Sequence, residues 1–370
     1  MKKFRNLYIA ILFLMFIFSG FAGVLLLPKS EVSPLEKRTL TKAPELSVGA
    51  VLNGRFEKQA EGFVSDHFPF RALWASADSY ARLCTGLNGV DGIYKGKDAY
   101  LLPIPVKPDY EALDANLEAM LSFSEGLDIP SALMLVPSSG FILSDKLPQN
   151  HLDYPDDELL DYSYSKTESV IGRLDLRERF NECRDEVPLY YRTDHHWTTA
   201  GAYEAYLEYC RNVGFEDVLW DFNVKRYDGF FGTSYSKSAL WLEKGDVLEV
   251  WDYPAELSCV VDGEEYPYIY FSKHLSSLDK YSVFLDGNHD FERVINRSKP
   301  DGGRLLIIKD SYAHALIPFL INHYGEIDCV DLRYYLEPVS ELCERNEYER
   351  VLYVFGMSSI CEGRDISILE

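Results

Sequence analysis

Two short stretches of this sequence carry side chains able to move a proton or form a covalent bond. The first is Arg192-Thr193-Asp194-His195-His196-Trp197-Thr198-Thr199, which follows an apolar stretch at 187–191 and precedes a helical pattern. In extended backbone residues i and i+2 share a side, so Asp194 and His196 face one way and His195 points away. Asp194 then accepts a hydrogen bond from one imidazole nitrogen, fixing the tautomer and leaving the other nitrogen as a base. The same residues also suit a helix-entry loop with a satisfied core histidine and a packing Trp. The second stretch, Leu305-Leu306-Ile307-Ile308-Lys309-Asp310-Ser311-Tyr312-Ala313-His314, runs an apolar strand straight into Asp-Ser at a helix start. Ser311 at that bend stands near the positive end of a helix dipole, which favours a developing alkoxide and offers backbone donors to an oxyanion. Simple helix capping by Asp310 or Ser311 is the plainer alternative. A hydroxyl nucleophile needs a base within reach and the base needs an orienter, so the two stretches together suggest Ser311, His196 and Asp194 as an acyl-transfer triad.

Residues so far apart meet only if a sheet carries both. The pattern predicts a helix at about 109–125, a strand at 132–136, a helix at about 157–183, a strand at 187–191 and a helix at about 199–213. It resumes with a strand at 305–308, a helix at 313–323, a strand at 327–330, a helix at 338–346 and a strand at 351–355. Short apolar strands alternating with helices imply an α/β domain, its mostly parallel sheet covered by helices on both faces. Reactive groups in such a sheet collect where strands end and helices begin. Between the halves, residues 215–300 turn aromatic and turn-rich, with a hairpin signal at Asp262-Gly263, and read as a β-rich insertion over one end of the sheet. Trp220, Tyr227, Phe230, Phe231, Tyr235 and Trp241, with Trp251, are there to stack on sugar rings or to pack a small β layer. Ahead of the alternation lie an amphipathic stretch from Phe56, a helix near 72–84 and a hairpin at 92–101.

At the amino terminus Lys2, Lys3 and Arg5 precede the run Leu7 to Leu27, in which Ser19 is the clearly polar residue. At 1.5 Å per residue this run spans ~30 Å, one bilayer. Positive charge before it and an acidic body after it place the body outside. A cleaved signal is the alternative, but cleavage near Gly20-Phe21-Ala22 strands Val24 to Leu27, which favours an anchor. The expected organisation is an anchor at 1–27, an extended tether at 28–48 holding Pro28, Pro34 and Pro44 that sets distance only, and an α/β domain at 49–370. The 370 residues are 47% hydrophobic, enough for a real core, and 37 Lys+Arg against 59 Asp+Glu give a net charge of −22, which opposes nucleic acid. Seven Cys with no C-x-x-C or metal spacing show neither a disulfide framework nor a zinc knuckle. Asp194-His195-His196 as a divalent-metal set lacks an early Asp-x-Asp partner, so no metal is expected.

Asp194-His195-His196-Trp197 resembles the signature of the DHHW proteins, which are similar to the SGNH-hydrolase-like domains of alginate O-acetyltransferases. The likeness extends to Asp66-His67-Phe68-Pro69-Phe70-Arg71, Gly232-Thr233-Ser234-Tyr235-Ser236-Lys237-Ser238, Asp286-Gly287-Asn288-His289 and Asp331-Leu332-Arg333-Tyr334. It implies Ser311 as nucleophile, His196 as base and Asp194 as orienter, in a permuted order with acid and base before the nucleophile. Ordinary SGNH enzymes place an Asn after a later strand as an oxyanion donor, whereas Gly356-Met357-Ser358 stands here. Arg333 is the first oxyanion or substrate candidate, since a guanidinium stabilises an oxyanion strongly; Asn288, Tyr334 and the backbone at Ser311 are the others, and Tyr235, Trp241 and Trp197 are candidates for substrate stacking.

The expected function is an outward-facing serine O-acetyltransferase that modifies a cell-surface or secreted polysaccharide without a cofactor. The resemblance implies a membrane-bound O-acyltransferase as the partner that relays the acetyl donor. A carbohydrate O-acetyl esterase, with water as acceptor, and a non-catalytic carbohydrate-binding or assembly subunit of an export complex are the alternatives.

Overall fold

Three runs, Ser131–Val136, Arg304–Lys309 and Arg350–Gly356, are apolar almost without interruption, the pattern of strands buried on both faces. In the structure, a computed structural model that describes residues 2–105, 107–216, 221–363, 366 and 369, they lie side by side in an eight-stranded sheet. Its strands are numbered here in chain order: β1 Ser131–Val136, β2 Ile171–Asp175, β3 Leu257–Val261, β4 Glu264–Tyr266, β5 Phe291–Asn296, β6 Arg304–Lys309, β7 Glu326–Val330 and β8 Arg350–Gly356. The spatial order is β4-β3-β5-β7-β6-β8-β1-β2. From β7 to β2 all pairings are parallel, while β5, β3 and β4 add an antiparallel flank.

Side chains alternate between two cores, as a period of two requires. Met134, Ile307 and Val354 point into one, beneath the helices Thr199–Val213 and Ala313–Leu320. Leu133, Leu306, Ile308 and Tyr353 point into the other, beneath Tyr110–Glu125 and Val339–Arg345. Helix Ala313–Leu320 is apolar but for His314 and every residue in it is buried, so it is a core helix rather than a surface one.

The expected α/β architecture is present, with four corrections. The helix expected over 157–183 is two, Asp156–Thr167 and Arg177–Cys183, with edge strand β2 between them. Only Ile171 and Leu174 of β2 are buried, so this edge strand carries too few apolar residues to announce itself. The stretch 187–191 is not a strand of the sheet. It doubles back on 196–198 through Tyr191 N–H to His196 C=O at 3.2 Å and Thr198 N–H to Leu189 C=O at 2.9 Å, presenting 192–196 at the tip of a tight loop. The 215–300 insertion is only partly a separate layer. Asn223–Phe230 and Asp246–Asp252 form their own ladder, but β3, β4 and β5 extend the main sheet, with the hairpin turn at Asp262-Gly263 joining β3 to β4. Finally, 28–48 is not a bare tether. Val32–Ser33 pairs with Arg38–Thr39, and Arg38 is ion-paired to Asp66. All seven cysteines are free thiols, and the amino-terminal helix, long and apolar enough over Arg5–Leu26 to cross a membrane, is a candidate membrane anchor or signal.

At the end of β6 the sheet buries a full charge. Lys309 Nζ lies 3.0 Å from Glu292 Oε2 on β5, with both side chains wholly enclosed, and donates to His314 Nε2 at 2.7 Å. Burial opposes the ammonium, but the Glu292 and Asp331 carboxylates hold its pKa above the usual lysine value. Burial and the adjacent Lys309 charge keep His314 well below the ordinary histidine value, so it stays a neutral acceptor. Lys309→Met, which strands Glu292, is expected to cost about 3–5 kcal/mol in denaturant unfolding, with most of that recovered by adding Glu292→Leu. A single variant as stable as the parent would contradict this.

Candidate active site

Strand β6 stops at Lys309, and Asp310 makes it stop. The Asp310 N–H still donates to Val354 C=O on β8 at 3.1 Å, but its carboxylate turns to accept Tyr312 N–H at 2.9 Å and Gly356 N–H at 2.8 Å. This ties the bend to the end of the neighbouring strand. Asp310 therefore does the capping work, and the Ser311 hydroxyl is left for His196, 2.7 Å from its Nε2.

The second loop is bolted to this bend by Tyr312. Its hydroxyl donates to His195 C=O at 2.7 Å, and its carbonyl accepts from Trp197 Nε1–H at 3.0 Å, so residues on both sides of His196 are anchored to the residue after Ser311. Trp197 is fully buried, which makes it a brace and removes it as a stacking surface for substrate. Tyr235 is also corrected: it is buried in a small apolar cluster and donates its hydroxyl to Trp241 C=O. Trp241 packs against that cluster half-buried and donates Nε1–H to Tyr235 C=O. Phe230 and Trp251 likewise belong to packed apolar clusters, and Trp220 lies outside the described residues.

His196 Nδ1 lies 2.5 Å from Asp194 Oδ1. A carboxylate only accepts, so Nδ1 carries the proton and Nε2 turns its lone pair to the Ser311 hydroxyl. The arrangement arises from a turn rather than from extended backbone, since His196 N–H also donates to Asp194 Oδ1 at 2.9 Å. His195 accordingly does not point away. Its ring lies over that of His196 with centroids 3.8 Å apart, and its Nδ1 meets Thr233 Oγ1 at 2.7 Å.

Burial raises the pKa of Asp194, but the two imidazoles and the hydrogen bonds from His196 outweigh it and hold the carboxyl well below the usual range. Burial and the neighbouring His196 push His195 down to about 3, so it stays neutral. Asp194, His195 and His196 have donor atoms within 4.8 Å of one another, as a metal set would, but those atoms are engaged with each other, Ser311 and Thr233.

Several contributors carry no sequence signal as local as Asp-x-His. Thr233 N–H donates to Asp194 Oδ2 at 2.6 Å and its hydroxyl does so at 3.2 Å, fixing the carboxylate from the far side. Gly232 allows this approach, because a Cβ there would stand 2.1 Å from Asp194 Cβ. Tyr281 stacks on His196 at 4.0 Å and 10°.

Of the oxyanion candidates, Arg333 donates to Asp331 through Nε at 2.8 Å and Nη2 at 2.5 Å, and its Nη2 reaches Asn288 Oδ1 at 3.5 Å. It lines a small cavity with Lys309 and Asp310, next to the Ser311 bend. Tyr334 is exposed, its ring 5.4 Å from the Arg333 guanidinium carbon. Arg333, Asn288 and Tyr334 thus form one group, but none of them hydrogen-bonds to Ser311 among the described residues.

Residues 98–330 match the family model described as DHHW protein. No curated protein matches the sequence. Among solved structures, a DHHW family protein from Eubacterium siraeum is 21% identical with a TM-score of 0.66, covering 76% of this chain and 97% of its own. Bacillus cereus PatB1 with a sulfonyl adduct is 20% identical with a TM-score of 0.60, covering 74% and 96%. The O-acetyltransferase domain of Pseudomonas putida AlgJ is 13% identical with a TM-score of 0.50, covering 75% and 94%. The fold shared with these structures is an α/β one, a mostly parallel sheet with helices on both faces.

Two outcomes follow from this geometry. Gly232→Ala must shift Asp194 or the backbone against it, and is expected to slow modification of Ser311 by a sulfonyl fluoride by roughly 10²-fold, the usual scale for misplacing a catalytic group; an unchanged rate would contradict the packing. Stability is expected to fall on acidification. His323 has its folded pKa lowered to about 4, chiefly by burial, and His195, with a third of its side chain exposed, is lowered to about 3 beside His196. The unfolded chain therefore takes up protons first, and their contribution, fully present above pH about 6.5, is lost as pH falls towards those values. Urea midpoints measured down to pH about 4 should fall, less steeply in His323→Gln.

Proposed function

This chain belongs to the DHHW family, and we propose that it is a serine-dependent O-acetyltransferase in which Ser311 is nucleophile, His196 base and Asp194 orienter. The observation that carries the reading is the continuous relay from Asp194 Oδ1 through the two nitrogens of His196 to Ser311 Oγ, at 2.5 and 2.7 Å. His196 Nε2 takes the hydroxyl proton as Ser311 Oγ attacks the acetyl carbonyl. The imidazolium, countered by Asp194, returns that proton to the leaving group as the tetrahedral intermediate collapses to an acetyl-serine. An acceptor hydroxyl, deprotonated by the same imidazole, then attacks the ester and restores Ser311. The Ser311 N–H donates to no described acceptor, whereas those of Tyr312 and Gly356 are held by Asp310, so the nucleophile's own amide is the backbone donor open to the oxyanion. Arg333, beside the same bend, is the side-chain candidate.

The likeness to the AlgJ O-acetyltransferase domain supports acetyl transfer, and the sequence resemblance to alginate O-acetyltransferases favours a polysaccharide as acceptor, placed outside the cell by an amino-terminal anchor. The acetyl donor is relayed by a membrane-bound O-acyltransferase. The test is an activated acetyl ester offered to the full-length protein with and without glycan. A burst, an acetyl adduct on Ser311 and transfer to glycan are expected, all lost in Ser311→Ala. Hydrolysis unaffected by glycan would assign an esterase, and a missing adduct in the parent would remove the enzyme reading.

A further inference from the structure

The amino-terminal helix does not stand clear of the domain. The Phe16 ring lies 6.3 Å from that of Phe68 and meets Trp74 edge-on at 5.9 Å. Gly20 and Gly23 open the helix face to the same elbow. A Cβ at Gly20 would come 2.7 Å from the Phe68 ring, and one at Gly23 2.2 Å from Pro69 Cγ. The elbow joins the helices Arg55–Asp66 and Arg71–Cys84, which the domain hardly covers: the first buries no residue and the second only Ser79.

It is nevertheless rigidly held. Asp66 accepts the Arg38 guanidinium and both the N–H and hydroxyl of Thr41, each of the latter at 2.8 Å, and Arg71 pairs with Glu36. The charges at the elbow are thus matched within the protein. On its outer side Phe70, Leu73 and Trp74 are 75%, 63% and 48% exposed, on one face of a helix start.

Phe16 and Gly20 lie inside the apolar run that ends at Leu27. At 1.5 Å per residue these contacts fall roughly 16 and 10 Å below its outer end, within a hydrocarbon layer of about 30 Å. A bilayer crossed by Arg5–Leu26 must therefore admit the elbow. We propose that Phe68–Trp74 is a wedge seated in the acyl chains of the outer leaflet, so that the domain rides on the membrane at fixed height instead of swinging on residues 28–48. The net charge of −22 leaves apolar insertion, not attraction to anionic lipid, as the force.

The experiment reconstitutes the full chain in phosphatidylcholine vesicles whose acyl chains carry bromine, and reads tryptophan quenching. A quenched component present in the parent and absent from Trp74→Phe, and unaffected by salt, is expected. Phe70→Asp with Leu73→Asp alters exposed side chains, so the melting temperature should hold while quenching of Trp74 falls at least about twofold. Equal quenching in the parent and Trp74→Phe would overturn the proposal, placing the elbow in water or against a partner protein.

Discussion

A carboxylate cannot donate a hydrogen bond, and that single restriction organises the site. With Asp194 Oδ1 at 2.5 Å, the Nδ1 of His196 has to keep its proton, and Nε2 has to offer a lone pair to the one hydroxyl in front of it. Everything around the pair serves to keep Asp194 ionised and still. Thr233 and the backbone of His196 fill its remaining lone pairs, and Gly232 yields the space for that contact. An imidazolium formed next to this carboxylate is countered at once, with Tyr281 stacked on its ring and His195 beside it.

The loops that hold His196 and Ser311 come from distant parts of the chain, and short polar locks join them. Tyr312 is the bolt, gripping His195 and Trp197 at once. Asp310 fixes the bend from below by holding Gly356 on the neighbouring strand. The buried Lys309–Glu292 pair then ties the same bend to β5, the antiparallel flank contributed by the insertion. Such a pair contributes little net stability compared with an apolar substitute, but it tolerates no loss of one partner. Here it links the insertion to the site.

Much of this was legible in the sequence because it is local or periodic. The both-face burial of β6 shows as an unbroken run at 305–308, and Asp194, His196 and Ser311 declare themselves by residue type at loop positions. What was not legible depends on partners far along the chain. Nothing in the neighbourhood of Trp197 says that its indole will donate to Tyr312, and nothing near Gly232 shows that Asp194 will lie against it. The strand expected at 187–191 failed because an apolar stretch states its wish for burial and not its partner, and this one pairs with 196–198. Edge strand β2 was hidden for the opposite reason, having little to bury. The tether reads as featureless because Arg38 and Glu36, which also pair with each other, meet Asp66 and Arg71 only once the elbow has folded.

The central claim is that Ser311 is activated through His196 by Asp194. It is tested most directly by treating the full chain with phenylmethanesulfonyl fluoride and mapping the modified peptides. The account expects one sulfonyl ester, on Ser311, absent in His196→Ala and formed more slowly in Asp194→Asn. Modification at another residue, or undiminished labelling of Ser311 in His196→Ala, would contradict it.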